Sequence, residues 1–201
     1  MTSRSVNVAM AAYLDTCVIS GYVKNELKAN EQVSMEKVMA AYTSGKIDLL
    51  RSAIVEQEIA AIPDRYRIPH HELLSQFLSI PVPSVGGLTR SGGFGAKANP
   101  ARMLMQRLIR ILPDENDQRH IFVAARNRIR FFITVDFRTI LSRRDRVLVA
   151  SGVEPVTPAE FVAHSSSPLQ GAQPGVQAGL PQKRGSPLTL LQGLPQIRKR
   201  F

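Results

Sequence analysis

Cysteine is nearly missing from this sequence. Cys17 stands alone among 201 residues, so no internal disulfide can form, and a lone thiol suits a reducing compartment. Long apolar runs are missing too: none approaches the roughly 20 residues a helix needs to cross a bilayer. The opening stretch MTSRSVNVAMAAYL has one arginine and a short apolar segment that Asp15 interrupts at once, a poor match to a secretory leader. These absences point to a cytoplasmic protein without a membrane span. A phosphate-binding loop is also lacking. GGFGAK has the glycines for one, but Lys97 lies between Ala96 and Ala98, where the mechanism needs Gly and Ser or Thr.

Acidic residues are absent from Ser165 to Phe201, where Lys183, Arg184, Arg198, Lys199 and Arg200 give the segment a charge of +5. The segment is rich in Pro, Gly, Gln and Ser without periodicity, a composition that cannot bury enough apolar surface to fold. We therefore expect one domain over residues 1–164 and a disordered basic tail over 165–201. With 21 basic and 16 acidic residues the first part also carries +5, half of the total of +10. A basic body attracts polyanions, nucleic acid first among them. The hydrophobic fraction of 44% is that of a globular protein with one core.

What is present alternates between strand and helix. Val6 to Ile19 is apolar and partly β-branched around one carboxylate, and reads as a buried strand ending at Asp15. EQVSMEKVMAAYT places Val33 or Met35, Val38, Met39 and Tyr42 at helical spacing before Gly45. KIDLLRS reads as a strand, and Ser52 as the N-cap of a helix that Pro63 ends. Another helix is expected from Pro69 through HHELLSQFLSI, followed by a loop over residues 81–100. ARMLMQRLIRIL and DQRHIFVAARNR read as helices, the second with Ile121, Ala124, Ala125 and Arg128 in register. RFFITVD reads as a second buried strand, followed by a short helix, the strand-like VEPV and a helix capped by Thr157 with Pro158 in its first position. This alternation predicts an α/β sandwich around a parallel sheet.

Both buried strands run into an aspartate, Asp15 and Asp136. One such residue is usually a turn or a helix cap. Two at the C-terminal edge of a parallel sheet, where open α/β folds place their sites, make a stronger signal. Clustered carboxylates raise one another's pKa unless a cation neutralises them, and hard oxygen ligands select Mg²⁺ or Mn²⁺.

These residues carry a resemblance. The sequence resembles the PIN-domain nucleases over residues 8–164: AAYLDTCVIS matches the first strand and its aspartate, and SAIVEQEI the Ser-initiated helix with Glu58. DQRHIFVAA is similar to the third motif, selecting Asp117, and FFITVDFRTIL to the fourth, with Thr134 and Asp136. VEPVTPAEFV is similar to the last strand and helix of bacterial members. The resemblance implies a three-layer sandwich with a central, mainly parallel sheet flanked by helices. It implies a metal-dependent endoribonuclease whose Asp15, Glu58, Asp117 and Asp136 are catalytic and hold Mg²⁺ or Mn²⁺. Thr16 and Thr134 would orient those carboxylates, and Arg143 and Arg144 would contact RNA. The small bacterial members are mostly toxin halves of toxin–antitoxin pairs, which implies a cognate antitoxin and is compatible with a homodimer.

Each choice has a rival. Glu56 lies two residues from Glu58, about 200° around the helix, so one of the two faces the site. Asp114 competes with Asp117. His120 reads as a hydrogen-bonded core histidine, His70 and His71 as surface, and Cys17 as a buried side chain in a strand. Arg126, Arg128 and Arg130 read as a solvated face, and Arg146 joins Arg143 and Arg144 as surface charge or phosphate contacts. A catalytically silent module that binds RNA or protein is the alternative function, although it has no need of an anionic cluster. An aspartyl-phosphate phosphatase would want a second aspartate where Cys17 stands.

Overall fold

Strand β1 (Met10–Leu14) lies at the centre of a five-stranded, all-parallel sheet of order β3-β2-β1-β4-β5, completed by β2 (Ile47–Ser52), β3 (Leu78–Ile80), β4 (Phe131–Ile133) and β5 (Glu154–Val156). This is a computed structural model, and it describes residues 10–83 and 99–166. The expected tail beyond Ser166 and the glycine-rich stretch 84–98 lie outside the described residues. Ala12, Tyr13 and Leu14 are fully buried, as are Phe132 and Ile133 beside them. A strand covered on both faces needs such continuous apolar runs, which is why β1 and β4 are legible in the sequence.

Eight α-helices flank the sheet among the described residues: α1 (Thr16–Lys24), α2 (Ala29–Thr43), α3 (Ala53–Ala60), α4 (Asp64–Leu74), α5 (Pro100–Ile111), α6 (Glu115–Arg126), α7 (Arg144–Ser151) and α8 (Pro158–Ser166). The α/β class and the parallel sheet are as the alternation predicts. Gly45 follows α2 with φ +70°, a conformation that glycine adopts without penalty. Ser52 caps α3 by accepting the Ile54 N–H at 3.3 Å. Thr157 and Glu160 form a reciprocal capping box at α8, with Thr157 N–H donating to Glu160 at 2.8 Å and Glu160 N–H to the Thr157 hydroxyl at 3.2 Å. The buried carboxylate of Glu31 on α2 accepts the Ala159 N–H at 3.0 Å. An anion at a helix N-terminus is favourable, and here it fastens α2 to α8.

Several elements differ from the sequence reading. The apolar run after Asp15 is helix α1, so Cys17 is helical; the described strand is Met10–Leu14, and the start of the expected strand, at 6–9, lies outside the described residues. Val18 and Ile19 are fully buried in α1, and an apolar run buried as helix cannot be told from strand by periodicity. Helix α4 starts at Asp64, and Pro69 sits inside it. The proline removes one N–H from the helical ladder without ending the helix. LSI, read as the end of that helix, is the edge strand β3. His70, read as surface, is fully buried, its Nδ1 2.6 Å from the Tyr66 carbonyl. Of the two alternatives on α2, Met35 is buried and Val33 half exposed. Arg128 lies beyond α6 at φ +58°, out of helical register. Strand β4 stops at Ile133, so Asp136 stands on the loop that follows it. Helix α8 runs two residues past the expected boundary, to Ser166.

Candidate active site

From β1 the chain steps to β2 on one side and β4 on the other, and the C-terminal ends of β1 and β4 are joined where the Asp15 N–H donates to the Ile133 carbonyl at 3.0 Å. This divergence is the topological switch point at which open parallel sheets form a crevice. Asp15 follows β1 and Asp136 follows β4, so both reach the same crevice.

Asp15 is 7% exposed. Its Oδ2 accepts the Thr134 hydroxyl at 2.6 Å and the Cys17 thiol at 3.0 Å. Burial, with Asp15 beside it, pushes the Cys17 thiol well above its ordinary range, so it is no nucleophile at neutral pH. The Thr134 hydroxyl oxygen in turn accepts the Asp136 N–H at 3.0 Å, tying the two aspartates through one side chain. Asp136 Oδ1 accepts the backbone N–H groups of Arg138 and Thr139 at 2.8 and 2.9 Å. Burial acts to raise the Asp136 carboxyl, but the hydroxyl and N–H of Thr139, with Arg138, hold it below the usual range.

Asp117 comes from the first turn of α6. The Thr139 hydroxyl contacts both Asp117 Oδ2, at 2.7 Å, and Asp136 Oδ2. A hydroxyl has one proton, so it can satisfy one of these two carboxylates at a time. Burial first, then the charges of Asp15, Asp114 and Asp136, push Asp117 up to about 6 against the opposing effect of Thr139. Asp114 is the N-cap of α6, accepting the Asn116 and Asp117 N–H groups at 2.8 and 3.2 Å. That cap separates its role from that of Asp117.

Glu58 approaches from α3. Its Oε2 accepts the Thr16 hydroxyl and the Nε2–H of His120, the latter at 3.0 Å. Burial acts to raise Glu58, and the bonds and charge of His120 and Thr16 outweigh it and bring it below its ordinary value. Glu56 pairs with Arg51 and is 45% exposed against 25% for Glu58. Arg143 donates to the carbonyls of Arg138 and Thr139 at 3.1 and 2.9 Å, bracing the loop of Asp136, and Arg144 pairs with Glu160 at 2.7 Å. Arg130 pairs with Glu154 at 3.2 Å.

Asp117 and Asp136 meet at the Thr139 hydroxyl, Asp15 is tied through Thr134 to the Asp136 backbone N–H, and Glu58 is held separately by Thr16 and His120. Among the described residues no three Asp, Glu, His or Cys side chains stand together as a formed metal cage. The donor set nonetheless suits a hard divalent cation: it is all carboxylate oxygen, and one Thr139 proton cannot satisfy both Asp117 and Asp136. Sequence reading overlooks Thr139; its reading of His120 as a hydrogen-bonded core histidine holds, and the structure adds Glu58 and Tyr13 as the partners. The signal for Thr139 was present in the third position after Asp136, where a hydroxyl beside a turn can reach back to the carboxylate.

No protein-family model matches the sequence, and no curated protein matches it. Among solved structures, the chain is similar to a chain of VapBC2 from Rickettsia felis bound to a DNA fragment from their promoter, with a TM-score of 0.50 and 11% identity. The match covers 74% of this chain and 98% of the other. At that identity the likeness is one of fold. No helix among the described residues is long and apolar enough to cross a membrane.

Proposed function

We propose that this protein is a metal-dependent endoribonuclease that hydrolyses RNA phosphodiester bonds, using Mg²⁺ or Mn²⁺ held by Asp15, Glu58, Asp117 and Asp136. The single observation that carries the reading is the Thr139 hydroxyl lying between Asp117 and Asp136. Two carboxylates sharing one proton, with Asp15 behind Thr134, form an anionic set that a divalent cation would relieve. Bound there, the cation would lower the pKa of an attacking water and offset charge building on the phosphate. The chain's own part is to hold the carboxylates: Thr16 orients Glu58, Thr134 orients Asp15, and Thr139 with two backbone N–H groups orients Asp136.

The toxin role in a toxin–antitoxin pair is supported by the sequence resemblance and by a fold neighbour that is a VapBC complex. It implies a protein antitoxin as partner. Arg143 is engaged with the Asp136 loop and Arg144 with Glu160, so in this reading Arg143 serves RNA by bracing the loop as much as by direct phosphate contact, and Arg144 contacts phosphate only by leaving Glu160.

The test is hydrolysis of single-stranded RNA with Mg²⁺ or Mn²⁺, with and without EDTA, for wild type, Asp15→Asn and Asp136→Asn. Activity should need the metal and disappear in both variants while circular dichroism is unchanged. Undiminished cleavage by either variant would remove that residue from the site, and cleavage in EDTA would remove the metal.

A further inference from the structure

We propose that Tyr13 and His120 are positioning residues, which with Ser52 form a buried hydrogen-bonded relay that aims Glu58 into the acidic site. This rests on the nuclease reading and adds to it a device for holding one carboxylate. The Ser52 hydroxyl lies 2.6 Å from the Tyr13 hydroxyl, which lies 2.8 Å from His120 Nδ1, and His120 Nε2 lies 3.0 Å from Glu58 Oε2. Tyr13 and Ser52 are fully buried and His120 is 2% exposed.

Buried hydroxyl and imidazole groups cost free energy unless they are bonded, and Phe or Leu would fill the same space without that cost. Within the relay each is bonded, and its outlet is Glu58. The rings have little freedom to pivot. Tyr13 stacks on Phe132 with centroids 5.5 Å apart and meets His120 edge-on at 5.7 Å.

The relay closes on itself. Ser52 is the N-cap of α3, the helix that carries Glu58. Glu58 is thus tied to Ser52 by two routes, the backbone of α3 and the side chains of Tyr13 and His120. The order of protons follows from the groups. A carboxylate only accepts, so Nε2 must carry a proton toward Glu58, and a tyrosine hydroxyl can donate or accept, so it suits Nδ1 in either charge state of the ring. Thr16 adds a second donor from α1. Its three rotatable torsions would otherwise leave Glu58 several rotamers at the edge of the crevice.

The experiment uses the full chain. In the metal-free protein, ¹⁵N resonances of labelled histidine should show His120 protonated at Nε2, and Tyr13→Phe should shift the Glu58 carboxyl ¹³C resonance. Mn²⁺ binding by calorimetry should weaken on the order of tenfold or more in His120→Leu, as when an outer partner of a ligand is removed. His120→Gln, whose amide can still donate to Glu58, should recover much of that loss. Tyr13→Phe should weaken Mn²⁺ severalfold in wild type and have no further effect in His120→Leu, since it acts through the ring.

A neutral His120 protonated only at Nδ1, or equal effects of Tyr13→Phe in both backgrounds, would overturn the relay. So would unchanged Mn²⁺ affinity in folded variants. If wild type neither binds Mn²⁺ nor cleaves RNA, the nuclease reading falls instead, and the two metal-free resonance measurements still decide whether Tyr13 and His120 hold Glu58.

Discussion

The two halves of the acidic crevice are built differently. Glu58 is held from inside the core by buried side chains on two strands and a helix, with polar groups matched along the relay. Asp117 and Asp136 face each other across one threonine hydroxyl, with Asp136 on a loop and Asp117 raised to about 6. Hydrogen bonds that match donors to acceptors stabilise a fold; like charges that share one proton store a demand for a cation. Under the nuclease reading, the first half is scaffold and the second the part that a bound cation would change.

The largest effect that sharpens this contrast is on catalysis. Glu58→Gln should lower the rate of RNA hydrolysis by orders of magnitude, whereas Glu56→Gln, which disturbs only the pair with Arg51, should change it little. A larger loss from Glu56→Gln would reverse the assignment of the two faces of α3.

Next comes the scaffold half. Ser52→Ala removes both the cap of α3 and the root of the relay, and should cost about 1–2 kcal/mol in urea unfolding. A cost near zero would mean that the relay contributes nothing to holding α3.

The other half should respond in the opposite direction. Because burial and its neighbours raise Asp117 in the folded protein, the metal-free fold binds this proton more tightly than the unfolded chain does. Its unfavourable contribution grows as pH rises from the ordinary carboxylate range through about 6, and acidification from 7 toward 5 relieves it. Asp117→Asn should therefore stabilise the metal-free protein at neutral pH by on the order of 1 kcal/mol, discounted for partial exposure, and should flatten this part of the profile. Asp136 and Glu58, both lowered, contribute stability of the other sign, lost as pH falls through their folded values. Destabilisation by Asp117→Asn would show that the aspartate is satisfied without a cation.

The smallest effect belongs to the exposed pair of Arg144 and Glu160. Arg144→Ala should change stability by less than about 1 kcal/mol. Its effect on RNA affinity across a salt titration separates a phosphate contact, which would lower the salt slope, from a surface charge, which would leave it unchanged.

Much of this arrangement was legible because strong local rules marked it. Continuous apolar runs gave β1 and β4, and Ser52, Gly45 and the Thr157–Pro158 pair marked helix ends through capping chemistry. Asp15 and Asp136 stood out because charge at the end of an apolar run is conspicuous, whereas Glu58 and Asp117 came from the resemblance of their motifs. What stayed hidden depends on tertiary contacts. Helix α1 follows Asp15 without a break and is as apolar as the strand before it, so period alone could not divide them. Pro69 mimicked a helix start because a proline tolerated inside a helix leaves no mark of its own. Tyr13 sits inside the run that defines β1, and nothing local says that its hydroxyl meets partners 39 and 107 residues away.

The strand order has a consequence for how this protein comes into being. With β1 between β2 and β4, Ala12 pairs with Phe131, and Asp15 meets Ile133 only after all the intervening helices have been made. Domains fold as units during synthesis, and pairings this distant in sequence close late. An elongating chain on the ribosome therefore carries Asp15 and Glu58 without Asp136 or Thr139 until residues 136–139 have been added. Under the nuclease reading, the enzyme is inert toward the RNA around it until the segment carrying Asp136 and Thr139 has been made and has paired with β1.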